Sequence, residues 1–252
     1  MCHDREFTTA SGEISIGEEE TGGYTAVELI LSIVIIAILI ALLLPPVTRS
    51  REGSRRAQCK NNLKQIALAL FNYESHYKSL PPAYTVDANG KPLHSWRTLI
   101  LPWMDRKALY DKIDLTKAWD DPVNEVALKT KISAYQCPSA VLPESHAVYM
   151  AIVTSNSCFQ ATEPRLLSDI KDGLSKTLMV IEVDVEHAVP WMAPSDANEV
   201  VLQSLFPQGK HTHTGGMHAA SVDGSVRFID QNLSPDVLRA IISIAGGETQ
   251  EF

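Results

Sequence analysis

Residues Gly22 to Pro46 read GGYTAVELILSIVIIAILIALLLPP, and the rest of the chain is organised around this stretch. An apolar run from Leu29 to Leu44 is followed by two prolines and a basic cluster. As a helix the run rises about 24 Å, or about 30 Å counted from Thr25, which matches the hydrocarbon thickness of a bilayer. The expectation is therefore a membrane-inserted helix. Glu28 stands inside it, and an ionised carboxylate in such a segment costs about 2.5–3.5 kcal/mol on insertion scales. That acid calls for a partner or a function.

The chain has 252 residues and a net charge of −8. Residues 1–23 hold six acids (Asp4, Glu6, Glu13, Glu18, Glu19, Glu20) against Arg5, so the chain beyond them carries only −3. They show no periodicity and read as a disordered leader. A balance this near neutral asks for no nucleic-acid partner. Arg49, Arg51, Arg55, Arg56, Lys60 and Lys64 follow the apolar run, and together with the acidic leader they oppose an outward-facing domain under the positive-inside rule. Cys2, Cys59, Cys137 and Cys158 have no metal-type spacing, and Cys2 would leave with the leader.

Pro45 and Pro46 should interrupt or kink the helix. Beyond them Cys59, Leu63, Ile66, Leu70, Tyr73 and Tyr77 recur at steps of four and three, which predicts a continuing amphipathic helix with Lys60, Asn61, Lys64 and Glu74 on its solvated face. Residues 80–93 read as loop around the turn Asp87-Ala88-Asn89-Gly90. Ser95 caps a short helix that Pro102 ends, a second piece lies near Ala108–Tyr110, and a third starts at Asp121-Pro122. Strand-prone runs follow at Tyr135–Cys137, Val148–Val153, Thr177–Val183 and Val189–Trp191. Ala219–Val222 and Ser225–Ile229 flank Asp223-Gly224, the signal of a two-residue hairpin turn. Ser234-Pro235 opens a last helix through Ile244, stopped by Gly246-Gly247. A long N-terminal helix packed on an antiparallel sheet is an α+β layout.

Gly23-Tyr24-Thr25-Ala26-Val27-Glu28 resembles the processing motif of type IV prepilins and pseudopilins. That resemblance implies cleavage between Gly23 and Tyr24 by a prepilin peptidase, methylation of the new terminus, and Glu28 as the assembly acid that pairs with a neighbouring subunit's terminal amine. Tyr24 and Ala26 depart mildly from the usual motif. Further matches are Arg55 to Ile66, Ser95-Trp96-Arg97, Tyr135 to Ser139 and Asp172 to Ser175. His213 is followed after nine residues by Asp223-Gly224. As an ordered set these are similar to a large bacterial family of prepilin-like proteins with a C-terminal H-x9-DG signature. The resemblance implies a pilin-like fold with a leader at 1–23, a transmembrane N-terminal helix at 24–46, an amphipathic continuation at 47–78 and an exported α+β domain at 79–252. It places the chain as a single-pass protein of the bacterial cytoplasmic membrane, domain outside, with the lipid bilayer and other pilin-like subunits as partners. It also makes Cys59–Cys137 the preferred pair for one disulfide, the alternative being buried thiols.

The expected function is structural: a membrane-anchored subunit of a surface filament or of a type II secretion-like apparatus, not an enzyme and with no cofactor. A membrane-tethered glycan-binding module with Trp96, Trp103, Trp119 and Trp191 as stacking platforms is the alternative, against core packing of the same rings. A metal-dependent enzyme is the third reading, with His211, His213, His218 and Asp223 as ligands of Zn²⁺. Asp223, Asp172 and Asp169 are calcium candidates, although no spaced acidic loop accompanies them. The plain reading of the signature is that Asp223-Gly224 makes a turn while His213 hydrogen-bonds a neighbouring loop. There is no G-x-S-x-G elbow and no phosphate-binding glycine loop.

Overall fold

The computed structural model describes residues 25–207 and 209–247, with the backbone alone at 42–50. The expected leader, Cys2 and the Gly23-Tyr24 processing site lie outside these residues. The chain divides after Thr48 into two units. Its elements in order are α1 (Ala26–Tyr77), β1 (Tyr84–Val86), β2 (Pro92–Ser95), α2 (Trp96–Leu99), α3 (Lys107–Tyr110), α4 (Glu125–Leu128), β3 (His146–Ala147), β4 (Tyr149–Ala151), β5 (Leu178–Glu182), β6 (Val189–Pro190), α5 (Glu199–Leu205), β7 (Gly216–Ser221), β8 (Val226–Asp230) and α6 (Pro235–Ile242).

The single-pass location in a membrane is corrected. Among the described residues no helix is long and apolar enough to cross a membrane. In the first unit the described side chains of α1 run from Ala26 to Ala41, a rise of about 24 Å against a hydrocarbon core of about 30 Å, with Glu28 in the first turn. Thr25 and Glu28 form a reciprocal cap there: the Thr25 N–H donates to Glu28 Oε2 at 2.9 Å, and the Glu28 N–H to Thr25 Oγ1 at 3.4 Å. Helix assignment continues through Pro45-Pro46, where a break is expected.

The second unit is mixed helix and sheet, with antiparallel strands throughout. Its largest sheet has the order β4-β5-β7-β8, and the pairs β1-β2 and β3-β6 stand apart from it. The three-four spacing of α1 does what such spacing dictates: Cys59, Leu63, Ile66 and Leu70 are buried in one core with the strands of the large sheet. Lys60, Asn61 and Lys64 are exposed, whereas Tyr77 at the end of the stripe is 53% exposed. Ser95, Asp121 and Ser234 each accept a backbone N–H as N-caps, of Arg97, Val123 and Val237.

Several expectations fail for local reasons. Tyr135–Cys137 is not a strand; a 3-10 turn at Ser133–Tyr135 leads into it. Side chains take the place of a neighbouring strand, since Tyr135 O–H donates to the Arg97 carbonyl at 2.7 Å and Asn62 Nδ2 to that of Gln136 at 2.8 Å. The β7–β8 hairpin forms, but its loop has three residues. Gly224 N–H donates to the Ser221 carbonyl and Ser221 N–H to that of Ser225, with Gly224 at φ 81°. This is a turn closed by a left-handed glycine, the alternative to the two-residue form. Helix α6 stops at Ile242 because Ser243 turns extended, its hydroxyl accepting from Asn156 Nδ2 at 2.8 Å and its carbonyl from Thr177 Oγ1 at 3.2 Å. The stretch read as loop around Asp87–Gly90 carries the β1–β2 hairpin, and α5 is an element the periodicity did not reveal.

Candidate functional site

Four segments of the second unit bring titratable side chains to one buried point. On α1, Glu52, Arg56 and Cys59 are spaced by four and three residues and so share a stripe of the helix. The turn after the 3-10 helix supplies Cys137, held by the Asn62 bond to the preceding carbonyl and by the Ala140 N–H donating to the Cys137 carbonyl. Glu182 ends β5, and His213 precedes β7. Gly216 closes the tight turn between His213 and β7 at φ 155°, where a Cβ would lie 1.9 Å from the Ile229 carbonyl oxygen. Only glycine fits there, so the backbone itself fixes where His213 enters.

Cys59, Cys137, Glu182 and His213 present one ligand atom each, all within 4.8 Å of one another. They are 0%, 1%, 1% and 1% exposed. His213 Nε2 lies 3.4 Å from Cys137 Sγ and 3.4 Å from Glu182 Oε1. Its other nitrogen, Nδ1, donates to Glu52 Oε1 at 2.8 Å. Glu52 in turn pairs with Arg56 at 3.5 Å and accepts from Ser139 Oγ in the Cys137 turn at 3.5 Å. Arg56 also donates to the Thr214 carbonyl and lies over the Phe228 ring. On the far side, Glu182 Oε2 accepts from the His218 N–H and from His218 Nδ1, both at 3.2 Å. That leaves Glu182 Oε1 without a hydrogen-bond partner: the His213 ring is near enough for Coulombic attraction but not aligned for a hydrogen bond. The Tyr149 hydroxyl, also buried and unpartnered, sits across β4–β5 from Glu182.

The electrostatics follow from this crowding. Burial works to raise the Glu182 carboxyl, but the nearby His213 ring and the hydrogen-bonded His218 outweigh it and hold the group down at about 2. Burial opposes a charged His213, yet its contacts with Cys137 and Glu52 and the Glu182 charge close by prevail and hold it up at about 10. The Cys59 sulfur and burial together push the Cys137 thiol up. Thus two thiols and two carboxylates crowd around one imidazole, with Arg56 on the outer carboxylate.

Of the residues singled out from sequence, Cys59 and Cys137 are brought together, as thiols. His213 joins them, and His218 reaches them through Glu182. His211 stays outside, half-buried against Phe206, with both ring nitrogens unpartnered. Asp223 lies at the opposite end of β7 from His213, where its Oδ1 accepts the Ser225 N–H at 2.9 Å. Asp172 accepts the N–H groups of Gly246 and Gly247, and Asp169 lies in a 3-10 turn. Trp96 and Trp191 are buried, their N–H groups donated to Asp196 and the Leu128 carbonyl, so neither ring offers a face to a ligand. Trp103 is half-buried against Tyr73 at 5.3 Å, and Trp119 is half-buried.

Glu182 and Glu52 were missed by sequence reasoning. The signal was present at Glu182, an acid closing the apolar run Leu178–Ile181; a charge that deep calls for a partner. A second constellation joins Asp184, His187 and Ser204 through contacts of 2.7 and 3.0 Å. His187 borders a cleft of about 530 Å³, but Ser204 is not among the residues lining it, and its hydroxyl is held 2.6 Å from the Val201 carbonyl. That places the serine away from any substrate in the cleft.

No curated protein and no solved structure matches the chain. Residues 48–165, which include Cys59 and Cys137 and stop short of Glu182 and His213, match a family described as a protein of unknown function, DUF1559.

Proposed function

We propose that this chain is a pilin-like assembly subunit, processed after Gly23 and packed with other such subunits through the N-terminal part of α1, in a surface filament or a secretion or uptake apparatus. The observation that carries the reading is the exposure of that segment. From Val27 to Ile40, eleven large apolar side chains are 47–74% exposed, on every face of the helix. A helix apolar all round is covered in its working state. Burying the exposed half of each such side chain contributes roughly 1 kcal/mol, so helix-on-helix packing offers on the order of 10 kcal/mol per subunit. The occupant this favours is the same segment of neighbouring subunits, whose small and branched side chains interdigitate as a self-complementary surface.

Glu28 supports the same reading. Its carboxylate already holds the Thr25 N–H, one residue beyond the terminus that cleavage would create. Assembly would exchange that local cap for a neighbour's terminal amine. The work is done by subunit packing rather than by turnover. The test is mass spectrometry of the terminus in cells that contain a prepilin peptidase. The expected product begins at N-methylated Tyr24; a chain that retains Met1 would sink the proposal.

A further inference from the structure

We propose that Cys59, Cys137, Glu182 and His213 are the four ligands of a structural zinc site that ties the globular part of α1 to the sheet. The inference is independent of the assembly reading and concerns the second unit alone. Two thiolates, one imidazole and one carboxylate form a zinc-type donor set, softer than calcium or magnesium would select. Two of the spacings fit tetrahedral zinc as they stand, and all four ligand atoms lie within 4.8 Å of one another. Tetrahedral zinc with bonds near 2.3 Å to sulfur and 2.0–2.1 Å to nitrogen and oxygen sets its N and S ligands about 3.5 Å apart and its N and O ligands about 3.4 Å apart. The His213 Nε2 distances to Cys137 Sγ and Glu182 Oε1 are both 3.4 Å.

The surroundings are those of a built site. His213 presents Nε2 inward because Nδ1–H is donated to Glu52, the carboxylate–histidine arrangement that fixes ring orientation in metal centres. Glu182 is held by His218 through one oxygen, which leaves the other aimed at the cluster with no hydrogen-bond partner although the residue is 1% exposed. A buried carboxylate oxygen left unpaired carries its full desolvation cost, and a metal bond removes it. The Tyr149 hydroxyl, also buried and unpartnered, lies across the β4–β5 pair from Glu182. The charge count is ordinary: two thiolates and a carboxylate around Zn²⁺ leave −1, as in a Cys₃His site. All four positions are taken by buried protein ligands, so the site is closed, and it is structural rather than catalytic.

The test uses the full chain, purified under reducing conditions without chelator. Elemental analysis is expected to find one zinc per chain, and chelation is expected to lower the thermal midpoint until zinc is restored. Cobalt exchanged into the wild-type protein should show thiolate-to-metal charge-transfer absorption, a readout that needs no variant to fold. Cys137→Ser and His213→Gln should weaken zinc binding at least about tenfold, while His211→Gln, outside the cluster, keeps full stoichiometry. A wild-type chain that takes up neither metal overturns the proposal. So does cobalt bound without thiolate absorption, or peptide mapping that finds Cys59 joined to Cys137 in the native protein.

Discussion

Replacing Asp196 by alanine tests how the core around the cluster is held. Asp196 Oδ1 accepts three donors: Arg97 Nη1 at 2.7 Å, Trp96 Nε1 at 2.9 Å and the Ala151 N–H at 2.9 Å. The Arg97 side chain is 0% exposed and that of Asp196 is 4% exposed, so the pair is a buried salt bridge. Its net worth against an apolar core is small, because desolvating two charges offsets their attraction, but removing one partner strands the other. In Asp196→Ala the guanidinium keeps one oxygen partner, the Ser195 carbonyl, and the indole and amide donors lose theirs. These losses are not additive, and the expected total is about 3–5 kcal/mol. For a domain of this size that is a fall in thermal midpoint of roughly 6–20 °C. The damage has a route to the cluster, because the Arg97 carbonyl holds the Tyr135 hydroxyl two residues before Cys137. Reaction of the Cys137 thiol with a disulfide reagent should therefore accelerate along with the loss of stability. The double variant Arg97→Met/Asp196→Leu should recover much of the midpoint, since no buried charge remains. A single variant that loses less than about 1 kcal/mol in urea denaturation would refute the reasoning.

Gly216→Ala places a Cβ 1.9 Å from the Ile229 carbonyl oxygen at φ 155°, so strain of about 1–3 kcal/mol at the least is expected, read as a lowered thermal midpoint; an unchanged midpoint counts against the geometry of the His213 turn. Glu52→Gln keeps a carbonyl oxygen for His213 Nδ1–H but removes the charge, and zinc affinity measured by competition with a chromogenic chelator should fall about 10–100-fold without being abolished. No change in affinity would deny Glu52 its positioning role.

Much of the second unit could be read from residues in sequence. The buried stripe of α1 followed from steps of three and four between Cys59 and Leu70, and the caps at Ser95, Asp121 and Ser234 from a polar residue ahead of a short apolar run. These are local rules, in which the residues that decide the outcome are a few positions apart. The cluster obeys no local rule. Its ligands come from a helix, a turn, a strand end and a strand lead-in, and no spacing along the chain announces their meeting. The signature from His213 to Asp223 spans β7, so its two ends are held apart by an extended strand: Asp223-Gly224 lies in the hairpin turn, and the histidine faces Glu52 and Glu182. The apolar N-terminal run could be read as a helix, but as a membrane span it falls short among the described residues.

The order of the four ligands along the chain has a consequence for biosynthesis. Cys59 leaves the ribosome early, Cys137 and Glu182 follow, and His213 is made only when most of the protein has been synthesised. Because chains emerge from the N-terminus first, a nascent chain holds Cys59, Cys137 and Glu182 without His213 until synthesis reaches the start of the β7–β8 hairpin. The last ligand arrives with the strand that must insert beside β5, so metal capture and completion of the sheet become a single event. A chain that stalls or is cut before His213 can neither close the sheet nor complete the cluster.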